Sequence, residues 1–237
     1  MKVLIIGAGG HGQVVADIFL AGLSQEMQSL ECGRSPVQPI GFLDDNANLH
    51  QRSLLGLPVL GGISQLPVVP HDAVFVAIGD NRIRQRICDQ LESQGERLVS
   101  AIHPSAIIGS DVSIGVGTVV SAGAVINVGS RIGQGVILNT ACTVDHHDWI
   151  GDYAHVAPGA HLGGDVEVGE GTLVGIGATI LPQRQIGVWS IVGAGAVVTR
   201  NIPSYVTAVG VPARAIVPAA AWYLDVKKPE LANSLNS

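Results

Sequence analysis

Four of the eight histidines lie within one stretch of sixteen residues, where their side chains could transfer protons. The four are His146, His147, His155 and His161. Asp145 and Asp148 flank the first pair. Imidazole titrates near neutral pH, so a histidine can take a proton from an attacking amine or hydroxyl, and a neighbouring carboxylate can orient it. The pattern indicates general base catalysis.

A second group of candidate residues lies near the N-terminus, where Gly7, Gly9 and Gly12 form a Gly-x-Gly-x-x-Gly motif. Such glycines allow a tight turn between a strand and a helix, so that backbone amides approach a phosphate group. The acidic residue that the motif requires after the second strand can be Asp44 or Asp45. The motif alone is a weak signal for a dinucleotide, because this region is about half of a full dinucleotide-binding fold.

Alternating strand and helix patterns over the first hundred residues position this motif. The predicted strands are Val3–Ile6, Pro39–Leu43 and Ala73–Ile78, and the predicted helices are Gln13–Leu23 and Asn81–Glu92, with a loop over 24–38. This order predicts a small parallel α/β sheet. Arg82, Arg84 and Arg86 are spaced two apart in the second helix, and we expect them on a solvated face.

From residue 102 onwards a repeat of six residues positions the histidines. Ile, Leu or Val occupies every sixth position from Ile102 to Val198, seventeen positions in all, usually with a small residue two places earlier. Each unit supplies one short strand and one corner, so all the aliphatic side chains point into a narrow interior. Three units form one coil of about 18 residues, and successive coils stack on one another. The repeat predicts a β-solenoid of five to six coils with Cys142 in its interior.

The composition excludes several classes of protein. Hydrophobic residues make up 47% of the chain and charged residues 14%, which excludes a disordered chain. The three cysteines form no CxxC pair, so we expect neither a disulfide framework nor a zinc ribbon. The net charge of −6 argues against nucleic acid as a partner. We expect no membrane span and no signal peptide. The absence of a disulfide framework predicts a protein of the reducing cytoplasm.

The repeat ends in the segment Gly210-Val211-Pro212-Ala213-Arg214. Together with the glycine motif, it resembles the hexapeptide-repeat sugar acetyltransferases of the NeuD/PglD type over residues 1–216. That group includes sialic-acid O-acetyltransferases and nucleotide-amino-sugar N-acetyltransferases, perosamine N-acetyltransferase among them. The resemblance implies an α/β Rossmann-like nucleotide-sugar-binding domain at 1–101, a left-handed parallel β-helix at 102–216 and a C-terminal tail at 217–237. It also implies acetyl-CoA as the donor and a homotrimer with active sites between adjacent helices.

The resemblance assigns the general base to His146, which stands four residues before the Ile of an Ile-Gly corner. Relatives usually follow this histidine with Asp or Glu, whereas this chain has His147. The orienting carboxylate could therefore be Asp145 or Asp148. In a second interpretation, His147 is the base and Asp148 its partner.

Cofactor and substrate residues also follow from the resemblance. His155 matches a histidine that contacts acetyl-CoA. The positions that match backbone contacts with the acetyl or pantetheine arm are Gly164, Ile176, Gly193 and Ala194. The positions expected to bind a nucleotide-linked amino sugar are Gly9, Gly10, His11, Asp44, Asp45, Gly79 and Asn81.

Three alternatives remain open at this stage. The same base and donor would serve O-acetylation of a sialic acid or a related sugar hydroxyl, and the chain could instead be a non-catalytic nucleotide-sugar-binding scaffold. Zinc-dependent carbonic anhydrases of the gamma type are also histidine-rich β-helices, but they use a histidine pair five residues apart. The gaps between the four histidines here are one, eight and six. We therefore expect no catalytic metal, and favour N-acetyl transfer to a nucleotide-linked amino sugar in a direct ternary complex.

Overall fold

The computed structural model describes residues 1–28 and 37–218, so the predicted tail beyond Pro218 lies outside the described residues. The N-terminal region is built on a parallel sheet of three strands, in which the first strand of the chain lies between the second and the fifth, while the third and fourth strands form a separate antiparallel pair. Its elements are β1 (Lys2–Ile6), α1 (Gly10–Gln28), β2 (Gln38–Leu43), β3 (Ser53–Leu54), β4 (Leu57–Pro58), β5 (Ala73–Val76) and α2 (Asn81–Ser93), with 3₁₀ helices at Ala47–Leu49 and Ile63–Val68.

Helix α1 is longer than the periodicity of its apolar residues predicts. Val15, Ile18 and Phe19 are buried on its inner face. The helix continues to Gln28, into the stretch predicted as a loop. The added residues (SQEMQ) are mostly good helix formers without an apolar face, so their propensity extends the helix where periodicity gives no signal. Neither α1 nor any other helix of the described residues is long and apolar enough to cross a bilayer.

From Ala101 onwards the chain forms a β-solenoid with three flat sides, in sheets of eight, six and five strands. Strands β6 to β22 are Ala101–Ile102, Ile107–Ile108, Ser113–Ile114, Val119–Val120, Val125–Ile126, Arg131–Ile132, Ile137–Leu138, Thr143–Val144, Trp149–Ile150, His155–Val156, His161–Leu162, Glu167–Val168, Leu173–Val174, Thr179–Ile180, Gln185–Ile186, Ile191–Val192 and Val197–Val198. Two longer strands follow, β23 (Val206–Val209) and β24 (Arg214–Pro218), and they pair antiparallel. The predicted fold class, an α/β region followed by a hexapeptide-repeat solenoid, is confirmed.

The aliphatic residues of the repeat form the core of the solenoid. From Val120 to Val198 every sixth residue is buried, and Cys142 is buried among them as predicted. Ile102 and Ile108 are 41% and 40% exposed, so the prediction that every repeat aliphatic is enclosed is wrong for the first coil. The physical reason is that no earlier coil stacks on this end.

Each corner of the solenoid holds one residue in the left-handed backbone conformation. Every sixth residue from Asp111 to Gly195 has φ between 53° and 76°. Glycine adopts this conformation most readily, and Asn, Asp and His also do so more often than other residues. His147 (φ 59°) and Asp165 (φ 58°) occupy two such corners one coil apart, so they lie on the same edge of the solenoid.

The N-terminal region packs on the eight-stranded side of the solenoid, which we call the covered face. Ala101, Val119 and Ile137 of this face belong to the same buried cluster as Val15 and Phe19 of α1. The two regions therefore share a continuous apolar contact.

Helix α2 adds polar contacts to this junction through Arg84, which is 1% exposed. Its guanidinium donates hydrogen bonds to the carbonyl oxygens of Gly135 (2.7 Å) and Tyr153 (2.8 Å) in the solenoid. Arg82 and Arg86 are exposed. The prediction of a solvated arginine face is thus wrong for Arg84, because residues two apart on a helix point in different directions and this one faces the solenoid.

Candidate active site

His146 and His147 are neighbouring exposed residues at one corner of the solenoid. Their Nδ1 atoms are 3.2 Å apart, and their rings lie at 74° with centroids 5.3 Å apart. When both rings are neutral, this contact is a hydrogen bond in which one Nδ1 carries the proton and the other accepts it. The structure therefore pairs the two candidate bases with each other.

Each ring rests on a glycine of a neighbouring coil. A Cβ at Gly164 would lie 2.3 Å from Cε1 of His146, and a Cβ at Gly129 would lie 2.7 Å from Cδ2 of His147. Each glycine is eighteen residues, one coil, away from the histidine it supports. Gly164, predicted to contact the cofactor, is thus buried beneath the ring of His146.

The two carboxylates predicted to orient the base bond to the backbone instead. Asp148 is 1% exposed, and its two oxygens accept the N–H groups of Asp145 and Val166, each at 2.8 Å. Oδ1 of Asp145 accepts from the side chain of Asn127 and from the N–H of His146. Over residues 1–28 and 37–218, no hydrogen bond joins either carboxylate to a histidine ring. The structure thus does not support Asp145 or Asp148 as the orienting partner.

The surroundings of these two carboxyl groups shift their pKa values in opposite directions. Burial raises the pKa of Asp148 to about 7, and its two backbone donors only partly oppose this. The hydrogen bond from Asn127, followed by the bond from the N–H of His146, lowers the pKa of Asp145. Asp145 therefore places a negative charge beside the histidine pair.

Asp165 is a third carboxylate near the pair, and the sequence analysis did not single it out. One carboxylate oxygen of Asp165 and one ring nitrogen from each of His146 and His147 all lie within 4.8 Å of one another. The N–H of Asp165 also donates to the carbonyl oxygen of His146 at 3.0 Å. Asp165 follows His147 by eighteen residues, so the period of the coil was the signal that could have identified it.

His155 lies on the covered face, where its ring is half-buried. Its Nε2 is 3.2 Å from Nδ2 of Asn139, whose amide oxygen accepts the N–H of Thr140. From these bonds we infer that Nε2 is the acceptor and that the ring proton is on Nδ1. Burial, followed by the charges of Arg84 and His11, lowers the pKa of His155 to about 3. His155 is therefore a neutral hydrogen-bond donor at neutral pH.

The remaining predicted cofactor positions differ in whether their amides are free. Ile176 and Ala194 lie one coil apart at exposed corners, and in the described part of the chain their N–H groups donate to no acceptor. The N–H of Gly193 donates to the carbonyl oxygen of Ala208 at 2.8 Å, so it is not available to a ligand. Free amides at successive coils are about 4.8 Å apart and can bond to an extended ligand.

The carboxyl ends of the three parallel strands bring the predicted substrate residues of the N-terminal region to one edge of the sheet. Gly9, Gly10 and Gly79 are exposed, and a Cβ at any of them would meet no atom of residues 1–28 or 37–218 within 4 Å. Gly7 and Gly12 close the turn instead, since a Cβ at Gly12 would lie 2.0 Å from the carbonyl oxygen of Gly7. The motif thus leaves an open crevice at the N-terminus of α1.

Acidic residues hold the loops around this crevice. The carboxylate of Asp44 accepts the N–H groups of Ala8 (2.7 Å) and Asn46 (2.8 Å), and so joins the glycine turn to the end of β2. Asp45 accepts the N–H of Ile63 at 2.8 Å. Asp44 directly follows β2, which is the position that such a motif requires for its acidic residue.

His11 and Asn81 lie where the crevice meets the solenoid. The side chain of Asn81 donates to the carbonyl oxygen of Gly171 (3.0 Å) and accepts from Arg84 (2.8 Å). Because Asn81 is 5% exposed and both its polar groups are bonded, the structure assigns it to this junction rather than to substrate binding. Nε2 of His11 is buried, and no group of the described residues forms a hydrogen bond with it. Burial, followed by the charge of Arg84, lowers the pKa of His11 to about 4.

Comparison with known proteins places these features in a family. The family model described as the PglD N-terminal domain matches residues 2–91. GDP-perosamine N-acetyltransferase of Escherichia coli O157:H7 is 33% identical over 220 residues, which cover 89% of this chain and 94% of that protein.

Two similar solved structures cover both regions. PerB from Caulobacter crescentus, in complex with CoA and GDP-perosamine, is 40% identical with a TM-score of 0.79, and the match covers 91% of this chain and 97% of that one. The acetyltransferase domain of PglB from Neisseria gonorrhoeae FA1090, in complex with acetyl coenzyme A, is 38% identical with a TM-score of 0.79, covering 91% and 98%. The chain therefore belongs to the family of sugar N-acetyltransferases that join a PglD-type N-terminal domain to a hexapeptide-repeat β-solenoid.

Proposed function

We propose that this protein transfers the acetyl group of acetyl-CoA to the amino group of a nucleotide-linked amino sugar, with His146 as the general base. The observation that carries this proposal is the exposed histidine pair, with the ring of His146 seated on Gly164. The match to a GDP-perosamine N-acetyltransferase over 89% of the chain supports the substrate class.

The reaction is a direct transfer within a ternary complex. The amine nitrogen attacks the thioester carbonyl carbon, His146 takes one proton from that nitrogen, the C–S bond breaks, and the proton passes to the departing CoA thiolate. Of the cysteines in the described residues, Cys88 and Cys142 are both buried, and burial raises the pKa of each to about 12. Neither is therefore suited to forming an acyl-enzyme.

His147 acts as the positioning residue for the base. If Nδ1–H of His146 donates to Nδ1 of His147 across the 3.2 Å contact, Nε2 of His146 keeps its lone pair for the amine proton. The second imidazole thus takes the place of the acidic residue that relatives usually carry after the base.

Donors on the solenoid bind acetyl-CoA. On this proposal, the neutral Nδ1–H of His155 donates a hydrogen bond to the acetyl carbonyl oxygen, where negative charge develops during attack. The free amides of Ile176 and Ala194 bond to the pantetheine arm. Region 102–216 is on this proposal the acetyl-transfer domain.

The crevice of region 1–101 binds the nucleotide of the acceptor. The open glycines Gly9 and Gly10 begin α1, and a helix N-terminus with exposed amides favours a phosphate. Asp44 and Asp45 stand at the ribose side of this crevice.

We further propose a cytoplasmic homotrimer, because acetyl-CoA is a cytoplasmic donor and the family resemblance implies three subunits with sites between them.

The test is an acceptor panel with acetyl-CoA, in which release of CoA is measured with UDP-, GDP- and dTDP-linked 4-amino sugars and with free sialic acid. We expect turnover with one nucleotide amino sugar and none with sialic acid. Release with sialic acid alone would contradict N-acetyl transfer and indicate O-acetylation.

The role of His146 is tested by substitution in the same assay. His146→Asn should lower kcat at least about a hundredfold, because general base catalysis contributes on that order. His161→Asn is the matched control, an exposed solenoid histidine bonded to Thr143, and should keep its activity. Unchanged turnover in His146→Asn, with an unaltered circular dichroism spectrum, would reject the base assignment.

A further inference from the structure

Three side chains able to bind a metal ion meet at the corner that holds the proposed base. His146, His147 and Asp165 each offer one ligand atom, these atoms lie within 4.8 Å of one another, and all three residues are exposed. We propose that they bind one divalent transition-metal ion, for which Zn²⁺ is the probe, and that the bound ion inhibits acetyl transfer.

The separation of the two ring nitrogens matches the geometry of zinc. A tetrahedral zinc ion with Zn–N bonds of about 2.0–2.1 Å holds two nitrogen ligands about 3.3 Å apart. The Nδ1 atoms of His146 and His147 are 3.2 Å apart. The pair therefore already has the spacing of two imidazole ligands on one ion, and we assign the third ligand to Asp165, whose carboxylate has an oxygen within 4.8 Å of a nitrogen of each ring.

The stacked coils hold these ligands in place before an ion binds. The two rings rest on Gly164 and Gly129, and the N–H of Asp165 bonds to the carbonyl oxygen of His146 at 3.0 Å. Ligands that are already placed lose less conformational entropy on binding. Two imidazoles and one carboxylate favour zinc and its neighbours over magnesium or calcium, which prefer oxygen ligands.

Inhibition rests on the proposed function, whereas binding of the ion does not. A neutral imidazole that binds a metal through Nδ1 carries its proton on Nε2. Binding therefore moves the Nδ1 proton of His146 to Nε2, the nitrogen that would accept the proton of the amine. While the ion is bound, Nε2 of His146 stays protonated and cannot accept the proton of the amine. The proton only moves from one ring nitrogen to the other, so binding releases no proton.

The site is tested on the full-length protein after treatment with a chelator, by competition for zinc with a chromophoric indicator. We expect one equivalent of zinc per chain, with affinity lowered at least tenfold in Asp165→Asn and at least a hundredfold in His147→Asn. Asparagine tolerates the left-handed conformation of both positions, so both variants should fold. Asp17→Asn and His161→Asn are matched controls at exposed positions outside the cluster, and should bind zinc as the wild type does.

Acetyl transfer is followed in parallel as N-acetylated sugar by chromatography, because zinc also binds the released thiol. Zinc should abolish transfer by the wild type, a chelator should restore it, and Asp165→Asn should transfer acetyl with at least tenfold lower sensitivity to zinc. Absence of one tight equivalent, or wild-type affinity in His147→Asn, would overturn the site. Zinc bound by these three residues without loss of transfer would overturn the inhibition together with the base role of His146.

Discussion

At the scale of single residues, a glycine sets the position of the proposed base. The ring of His146 occupies the space in which a side chain of residue 164 would lie. We expect Gly164→Ala to lower kcat about a hundredfold. A Cβ at residue 164 would lie only 2.3 Å from Cε1 of His146, so the ring must move from its position. A displacement of about 1 Å in an active site has an effect of this size.

The measurement is steady-state kinetics with saturating acetyl-CoA, together with thermal unfolding. Gly22→Ala is the matched control, because a Cβ at Gly22 in α1 would meet no atom of the described part of the chain within 4 Å. An alanine at 164 that left kcat intact would show that the ring of His146 can move without consequence.

At the scale of elements, Arg84 fixes α2 to the solenoid. We expect Arg84→Met to lower the free energy of unfolding by about 2–4 kcal/mol, because it leaves the buried carbonyl oxygens of Gly135 and Tyr153 without their donor, and each unsatisfied buried acceptor costs about 1–3 kcal/mol. The check is urea unfolding monitored by circular dichroism. Arg86→Met, at an exposed position of the same helix, should change this free energy by less than about 0.5 kcal/mol, and equal effects would contradict the role of Arg84.

A second element-scale contact, between His71 and Glu96, makes stability depend on pH. Nε2 of His71 is 2.9 Å from the carboxylate of Glu96, and Nδ1 is 2.7 Å from the carbonyl oxygen of Val69. Burial lowers the pKa of His71, but the bonds to Val69 and Glu96 outweigh it, and the net pKa is raised. Because the pKa is higher in the folded state, the contact stabilises fully below the unfolded pKa of about 6.5 and loses its effect as pH rises through the folded pKa.

His71→Gln should therefore lower the free energy of unfolding by on the order of 1 kcal/mol near pH 5.5, and by less near pH 8.5. Urea unfolding at both pH values measures the difference between the variant and the wild type. Glu96→Gln should show the same trend, because it removes the carboxylate that lies 2.9 Å from Nε2 of His71. If the free energies of unfolding of His71→Gln and the wild type differed by the same amount at both pH values, protonated His71 would not contribute to stability.

At the scale of the whole molecule, the solenoid presents apolar side chains that one chain leaves uncovered. Ile107, Trp149 and Ile176 are each more than 60% exposed. Exposed apolar groups of this kind often mark contacts between subunits. We expect light scattering coupled to size-exclusion chromatography to give a mass of about 73 kDa, three times the 24.4 kDa of the chain. A mass of one or two chains at micromolar concentration would contradict the trimer.

The solenoid and the α/β region were predictable from the sequence, because their signals are local. The aliphatic residue that recurs every six positions from Ile102 to Val198 is visible without knowledge of distant contacts, and from Val120 onwards each of these residues is buried. The exposure of the histidine pair was expected as well, because both residues fall at a corner of the repeat and not at an inward position. Two features were not predictable from the periodicity of the sequence. The end of α1 depends on helix propensity, and the exposure of the first coil depends on the absence of a neighbouring coil.

The partners of the histidine pair were decided only by the tertiary structure. Sequence proximity favoured Asp145 and Asp148, but the turn directs Asp148 inwards, where backbone N–H groups occupy both its oxygens. Asp165 and Gly164 reach the pair because stacking brings residues eighteen positions apart into contact. The sequence by itself thus determined the coil and the presence of the two histidines, whereas the groups around them arise from contacts between coils, which no single segment of the chain encodes.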